Sequence, residues 1–217
     1  MQIKYIGHSC FEIKGKTLTL VIDPYDPKKT GYKLPKLKAD VVLSTHDHDD
    51  HNNIKGVSET RFQVTTAGEY EFSDVHIDAI PTFHDKKSGA DRGKNTMYQI
   101  SIDGVNVLHM GDIGHKLTKE IEERLLDIDI LLIPVGGTYT IDAGDATEII
   151  SSIEPKIVVP MHYQTDDLTG LSKKMDPLKK FLDEMGDQDV QKVDVLKVTN
   201  PSSLPEETEV IVIEPAH

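Results

Sequence analysis

The feature that most restricts the fold is the segment His46-Asp47-His48-Asp49-Asp50-His51, which directly follows the apolar run Val41-Val42-Leu43. His46 and His48 would point roughly 200° apart on a helix; in extended chain they project to one side, about 6.6 Å apart at the backbone, near enough to converge on one cation. A strand running out into a loop is therefore the local structure that this spacing asks for. Asp50 and His51 follow at once, so the turn beyond His48 sets a carboxylate and another imidazole beside the first pair. A second ion roughly 3.5 to 4 Å from the first is then geometrically natural. A polar loop with chance histidines is the ordinary reading of one histidine, but it does not account for three histidines and three aspartates in six consecutive residues.

This loop cannot close a ligand set alone, and open α/β sheets gather ligands at the carboxyl ends of their strands. Alternating apolar patterns predict strands over 2–7, 10–14, 18–22, 41–44, 61–65, 76–80, 96–102 and 105–110, the last two joined as a hairpin through Asp103-Gly104. His84 follows the strand ending near Ile80, Asp112 follows Met110 through Gly111, and His162 follows Val159 through Pro160 and Met161. All three lie where a ligand would. Helical spacing predicts helices over 117–128, over 146–153 with Asp142 as cap and Pro155 as stop, and over 178–185 between Asp176-Pro177 and Gly186. Strands over 129–133, 156–159, 193–198 and 210–213 are interleaved with them, so sheet and helix must be layered. The stretch 200–207 reads as a polar loop.

The 37 acidic residues exceed the 24 basic ones and give a net charge of -13, which disfavours nucleic acid and anionic membranes as partners. A small substrate, even an anionic one, remains compatible, because ions in the site make the local field positive. Cys10 is the only cysteine, which excludes an internal disulfide and a thiolate cage and fits the cytoplasm. The amino terminus lacks a secretion signal, and no apolar run approaches the roughly 20 residues that span a bilayer.

These residues match a known pattern. His46-x-His48-x-Asp50-His51, a later histidine, Gly111-Asp112 and Pro160-Met161-His162 resemble the metallo-β-lactamase superfamily, and Val21-Ile22-Asp23-Pro24 is similar to the aspartate-bearing strand before its metal loop. Nearly the whole chain is covered. Gly7-His8-Ser9-Cys10-Phe11, Pro134-Val135-Gly136-Gly137 and Ile141-Asp142-Ala143 resemble the ascorbate-phosphate lactonase-like branch and its zinc-dependent hydrolase relatives. The resemblance implies an α/β fold of the four-layer αββα sandwich type, formed by residues 1–217 as one domain. It implies that His46, His48 and His84 hold one ion, that Asp50, His51 and His162 hold another, and that Asp112 bridges the two. Asp23 would orient the loop from below. His84 is preferred over His76 as the third histidine, because a loop residue reaches a metal and a strand-interior one packs.

The implied activity is hydrolysis of a small ester, lactone or phosphorylated metabolite by a hydroxide shared between two Zn²⁺ ions; Mn²⁺ or Fe²⁺ can use the same groups. Asp50, His8 and His115 are the candidates for a direct catalytic role, whereas His109 shares strand parity with Val105 and Val107 and should be buried. Arg92, Lys94 and Asn95 could grip an anion, and the Gly136-Gly137 amides could face one; a solvated loop and a tight turn are the plainer readings. The branch contains oligomers, so a homo-oligomer is compatible. Three other activities compete. A di-iron redox protein would carry glutamate where His48 stands, a nuclease fits poorly with the acidic balance, and a metal-binding protein without turnover would share the ligand set.

Overall fold

The computed structural model describes residues 1–165, 174–186 and 190–216. Strands in the first half are β1 (Gln2–Gly7), β2 (Cys10–Lys14), β3 (Thr19–Ile22), β4 (Leu37–Lys38), β5 (Val41–Leu43), β6 (Val57–Ser58), β7 (Phe62–Val64), β8 (Gly68–Phe72) and β9 (Val75–Phe83). They continue with β10 (Lys94–Ile102), β11 (Val105–His109), β12 (Ile130–Pro134), β13 (Ile157–Met161), β14 (Gln191–Val193), β15 (Leu196–Lys197) and β16 (Glu209–Ile213). The helices are α1 (Pro27–Thr30), α2 (Lys119–Arg124), α3 (Ala143–Ile153) and α4 (Leu178–Met185).

Two mixed sheets face each other in an α/β sandwich flanked by helices. One has the order β15-β1-β2-β3-β5-β7 and the other β14-β16-β13-β12-β11-β10-β9-β8; β4 and β6 form a separate parallel pair. In the first sheet β3, β5 and β7 are parallel, and β1 runs the same way because β1-β2-β3 alternate. In the second, β11, β12 and β13 are parallel, and β9 joins them because β9-β10-β11 alternate. The carboxyl ends of β1, β3 and β5 therefore share one edge, and those of β9, β11, β12 and β13 share another.

Parity along each strand divides the core. Tyr5, Phe11, Leu20, Ile22, Val41 and Leu43 point between the sheets into the large cluster, whereas Ile6, Cys10, Val21 and Val42 point outward to Tyr25, Tyr32, Leu37 and Val57 around α1. Every residue of β12 and β13 is buried, as in strands covered on both faces, with Ala143, Ala146, Ile149 and Ile150 of α3 and Phe181 of α4 part of the same core. Among the described residues no helix is long and apolar enough to cross a membrane.

Hydrogen bonds tie the sheets together along the edge where these strand ends meet. Tyr98 of β10 donates its hydroxyl to Ser44 O (2.7 Å) and Val64 O (2.9 Å), and Thr96 N donates to Thr45 O at 2.9 Å. His162 N donates to His8 O at 2.9 Å, and His109 Nε2 lies 2.9 Å from Ser9 O. Loops at this edge are thereby registered across the sandwich.

Two sequence expectations are corrected. The helix expected over 117–128 is only Lys119–Arg124: Thr118 caps it, and beyond Leu125 the chain extends, with Leu126 N bonded to the Gln99 side chain, to enter β12. The strand expected over 193–198 is two pieces, β14 in one sheet and β15 in the other, so this segment crosses between layers. Helix α4 lies between Asp176-Pro177 and Gly186 as expected, with Pro177 in the cap position and the Asp176 carboxylate paired with Lys180 at 2.8 Å. The Asp103-Gly104 hairpin is found, both residues having positive φ (54° and 79°), and Asp142 caps α3 by accepting from Asp145 N at 2.9 Å.

Candidate metal centre

The metal loop is held from below by one carboxylate. Asp23, fully buried just beyond β3, accepts from Thr45 N (2.8 Å) through Oδ1 and from Thr45 Oγ1 (2.7 Å) and His51 Nδ1 (2.9 Å) through Oδ2. With its own proton given to Asp23, Thr45 Oγ1 accepts from His46 Nδ1 at 2.9 Å. Two rings are thus fixed through Nδ1 with Nε2 turned inward, and the buried His46 Nε2 has no hydrogen-bond partner. His51 N and Asn52 N donate to His48 O at 2.8 and 3.0 Å, which is the turn that brings Asp50 and His51 round. Asp47 and Asp49 face outward to Asn52 and Lys29.

The facing wall is built around Asp112. At Gly111, φ is 57°, and a Cβ would collide with Asn95 Oδ1 and the Thr45 side chain. Asn95 is fully buried: its Oδ1 accepts from Asp112 N at 2.9 Å, while Nδ2 donates to Thr82 Oγ1 (2.8 Å) and Met110 O (2.9 Å). Both N–H donors of that amide are used, so Asn95 positions Asp112 and does not grip an anion. Asp112 Oδ1 accepts from Ser9 Oγ at 3.4 Å, and Oδ2 stands 3.1 Å from His162 Nε2, 3.2 Å from His51 Nε2 and 3.4 Å from His84 Nε2.

These residues fit one or two divalent ions. Ligands about 2.0 Å from a tetrahedral ion lie roughly 3.3 Å from one another, which matches the spacing around Asp112 Oδ2. Candidate ligand atoms fall within 4.8 Å of one another in three overlapping groups: His46-His48-His84, His46-His51-Asp112 and His8-His51-His162. Asp50 Oδ2 lies 3.2 Å from His8 Nε2 and 3.9 Å from His51 Nε2. All seven sequence-assigned ligand positions therefore meet at one edge of the sandwich.

Electrostatics agree with a cation site. Burial, then the neighbouring His51, pushes His46 down to about 2, and burial lowers His84, so these imidazoles stay neutral with a lone pair available. Burial opposes charge on Asp112, yet His162 and His51 hold its carboxyl well below the usual range. Burial likewise opposes charge on His51, but Asp112 and Asp23 on either side raise its pKa well above the ordinary value. Without a cation a proton is thus held between those carboxylates, and a metal ion would displace it.

Histidines outside the cluster use their nitrogens differently. His109 is fully buried in β11, with Nε2 near Ser9 O and Nδ1 accepting from Gly111 N at 3.1 Å. His115 accepts from Phe83 N at 3.2 Å through Nε2 and donates from Nδ1 to Lys116 O at 2.8 Å, so the structure does not bring it among the ligands. His76 lies within β9 but faces solvent, on the opposite parity from Val75, Ile77 and Ala79, and is not packed as expected.

Several functional features were not legible as such. Thr45 and Ser9 carry no metal-ligand signature, and Asp85 organises the loop after His84 by accepting from Lys87 N, Gly89 N, Asp91 N and Arg92 N at 2.7 to 3.0 Å. Arg92 lies over the Tyr139 ring (4.9 Å) and donates to Thr138 O at 3.2 Å. The Gly137 amide is not free for an anion, because it donates to Ile141 O at 3.2 Å. Gly136 is needed for close approach: a Cβ there would collide with His162 O. We expect Gly136→Ala to lower stability by about 1–3 kcal/mol, as overpacking does, and to weaken metal binding through the displaced His162. Thermal melting and a zinc titration of the same preparation check this, and unchanged values in both would show that the turn yields freely.

Comparison with known proteins places these observations. Residues 2–162 match the family described as the beta-lactamase superfamily domain. A UPF0173 metal-dependent hydrolase of Thermoplasma volcanium is 32% identical over 209 residues, covering 82% of this chain and 90% of that protein. A crystal structure from Thermotoga maritima, described as a candidate Zn-dependent hydrolase of the metallo-beta-lactamase superfamily, is similar with a TM-score of 0.78 and 33% identity over 98% of each chain. Igni18, a metallo hydrolase from Ignicoccus hospitalis, shares the fold with a TM-score of 0.69 at 24% identity, covering 100% of this chain and 96% of that one.

Proposed function

The chain belongs to the metallo-β-lactamase superfamily, and from that premise we propose that it is a binuclear zinc hydrolase acting on a small ester, lactone or phosphorylated metabolite in the cytoplasm. The observation that carries this reading is the convergence of His51, His84 and His162 Nε2 on Asp112 Oδ2 at 3.1 to 3.4 Å, beside the buried His46 Nε2, which has no hydrogen-bond partner in the protein. A cavity of about 740 Å³ opens beside it, lined by His46, His48, Thr45, Thr66, Arg92 and Lys94 among others. That volume suits a small molecule.

When bound, such ions polarise a carbonyl or phosphoryl oxygen and make hydroxide available near neutral pH. His46, His48 and His84 would hold the first ion, and His51, His162 and Asp50 the second, with Asp112 between them. Burial alone would raise the Asp50 pKa, but the hydrogen bond from His8 and the charge of His51 hold it well below the carboxylate range, which suits a ligand better than a proton carrier. Arg92 and Lys94, both exposed, bring positive charge to the cavity rim of an otherwise acidic chain, which favours substrates with an anionic group. Imidazole and carboxylate donors suit zinc, and the relative described as Zn-dependent supports that choice over Mn²⁺ or Fe²⁺.

The test is metal content by elemental analysis together with a hydrolysis screen of esters, lactones, phosphomonoesters and phosphodiesters. Two ions per chain, loss of turnover on chelation and its return with zinc are expected, and Asp50→Ala should lose activity. A fully loaded protein that turns over none of these classes would leave metal binding without hydrolysis.

A further inference from the structure

We propose that His8, in the turn between β1 and β2, is a protein ligand of the second ion, which closes that ion's shell and leaves the first ion to meet the substrate. The inference rests on the two-ion reading above and assigns a ligand that the loop motif does not contain.

Three independent observations carry it. The first is position. A ring nitrogen of His8 lies within 4.8 Å of those of His51 and His162, and all three residues are buried. The His8 and His162 ring centroids are 4.3 Å apart.

The second is what the ring does not do. His8 Nδ1 is buried with no hydrogen-bond partner, and the partner of Nε2 is the Asp50 carboxylate at 3.2 Å, itself part of the metal loop. Neither nitrogen bonds to the backbone. A histidine kept for the fold behaves otherwise, as His109 and His115 show by engaging both nitrogens with main-chain groups. A buried imidazole that contributes nothing to main-chain hydrogen bonding, while its neighbours are the ligands of an ion, is best explained as a ligand itself.

The third is the backbone. His8 has φ 58°, in the left-handed region that a side chain disfavours, and this conformation is clamped: His8 O accepts from Tyr5 Oη at 2.7 Å and from His162 N at 2.9 Å. The same hydrogen bond ties the His8 turn to His162, which also has positive φ (52°). A glycine would meet this conformation without strain. An imidazole stands here instead, in a turn whose other role is only to reverse the chain.

The assignment distinguishes the two ions. With His8 added to Asp50, His51, His162 and Asp112, the second ion would have five protein ligands against the four of the first (His46, His48, His84 and Asp112), so the protein alone would fill its shell. The His46-His48-His84 group contains an exposed residue, His48, and the 740 Å³ cavity is lined by His46 and His48 but not by His8, His51 or His162. Substrate would then enter on the side of His46 and His48, while His8, His51 and His162 would hold the second ion away from the cavity.

The test compares the wild-type chain with His8→Asn, because asparagine accepts left-handed backbone and removes the imidazole. Thermal melting of both metal-free proteins reports folding, zinc titration reports stoichiometry and affinity, and a crystal of the zinc-loaded wild type reports the ligand shell. We expect two ions in the wild type, and in the variant a second site weakened by more than the roughly 100-fold that loss of a merely orienting partner costs. In the crystal a His8 ring nitrogen should stand about 2.0–2.1 Å from the second ion. A smaller loss of affinity in a folded variant, or a His8 ring bonded to Asp50 alone and out of reach of a fully occupied second site, overturns the assignment while leaving the two-ion reading intact. If the variant does not fold, the wild-type crystal decides. A wild type that takes up only one ion overturns both, so the two failures are told apart.

Discussion

Asp112→Asn should remove at least one of the two ions and lower any hydrolytic rate by roughly 10³-fold, the equivalent of about 4 kcal/mol of the several that metal ions contribute at 1.36 kcal/mol per decade. The substitution is close to isosteric. The backbone contact from Asp112 N to Asn95 Oδ1 does not depend on the carboxylate, and an amide oxygen can still accept from Ser9 Oγ. What is lost is the charge at the centre of three imidazoles, since an amide group offers His51, His84 and His162 a neutral oxygen or an NH₂ in place of an anionic ligand. Elemental analysis and zinc titration read the first effect, and turnover of whichever substrate the screen identifies reads the second. Retention of two tightly held ions would show that Asp112 does not bridge them.

The same substitution has a second consequence, free of any metal. His51 is held protonated between Asp112 and Asp23 when no cation is present. Removing one of the two carboxylates should bring the His51 pKa down, and proton release on zinc binding near neutral pH should fall accordingly. Calorimetric zinc titration in buffers of different ionisation enthalpy measures that number directly.

The candidate ligands were legible in the sequence because each obeys a rule that needs no tertiary contact. His46 and His48 share strand parity, the turn at Asp50 and His51 follows from their density, and His84, Asp112 and His162 each trail an apolar strand. Asp23 was reached through resemblance alone. The supporting residues were not legible, since Thr45, Asn95 and Tyr98 owe their roles to partners 13 to 54 positions away, across strands or between sheets. Nothing in a threonine beside a histidine announces a hydroxyl relay to a buried aspartate. The same cause explains the structural errors. The apolar spacing of Leu117, Ile121, Leu125 and Ile128 marks residues that pack on the core, as they do, but continuation of the helix is decided by the need to extend into β12. Val193 to Val198 alternates like one strand, yet the two sheets compete for it and each takes an end. Strand β8, with glutamates between its aromatics, is an edge strand stabilised by pairing with β9 rather than by burial.

Asp23→Ala is the substitution expected to cost the most stability. Its carboxylate satisfies three donors, Thr45 N, Thr45 Oγ1 and His51 Nδ1, all on buried residues. A stranded buried donor costs about 1–3 kcal/mol, so the combined loss is several kcal/mol against a total stability of roughly 5–15 kcal/mol. Asp23 also has φ 48°, a conformation that alanine tolerates less well than aspartate does. Metal binding should suffer separately, because the His51 ring loses its anchor and Thr45 no longer has an acceptor that turns its hydroxyl oxygen toward His46; orienting partners of this kind are worth roughly 10–100-fold in affinity. Asp23→Asn separates the two effects. An amide can accept from Thr45 N and keep the left-handed backbone, but its NH₂ would face the Thr45 hydroxyl and the His51 Nδ1 donor. Most of the fold should survive this change while zinc affinity falls. Chemical denaturation of the metal-free proteins, followed by zinc titration of those that fold, gives the order expected for both quantities: wild type, then Asp23→Asn, then Asp23→Ala. If Asp23→Ala melts with the wild type and binds zinc as tightly, the loop is held by something other than this carboxylate.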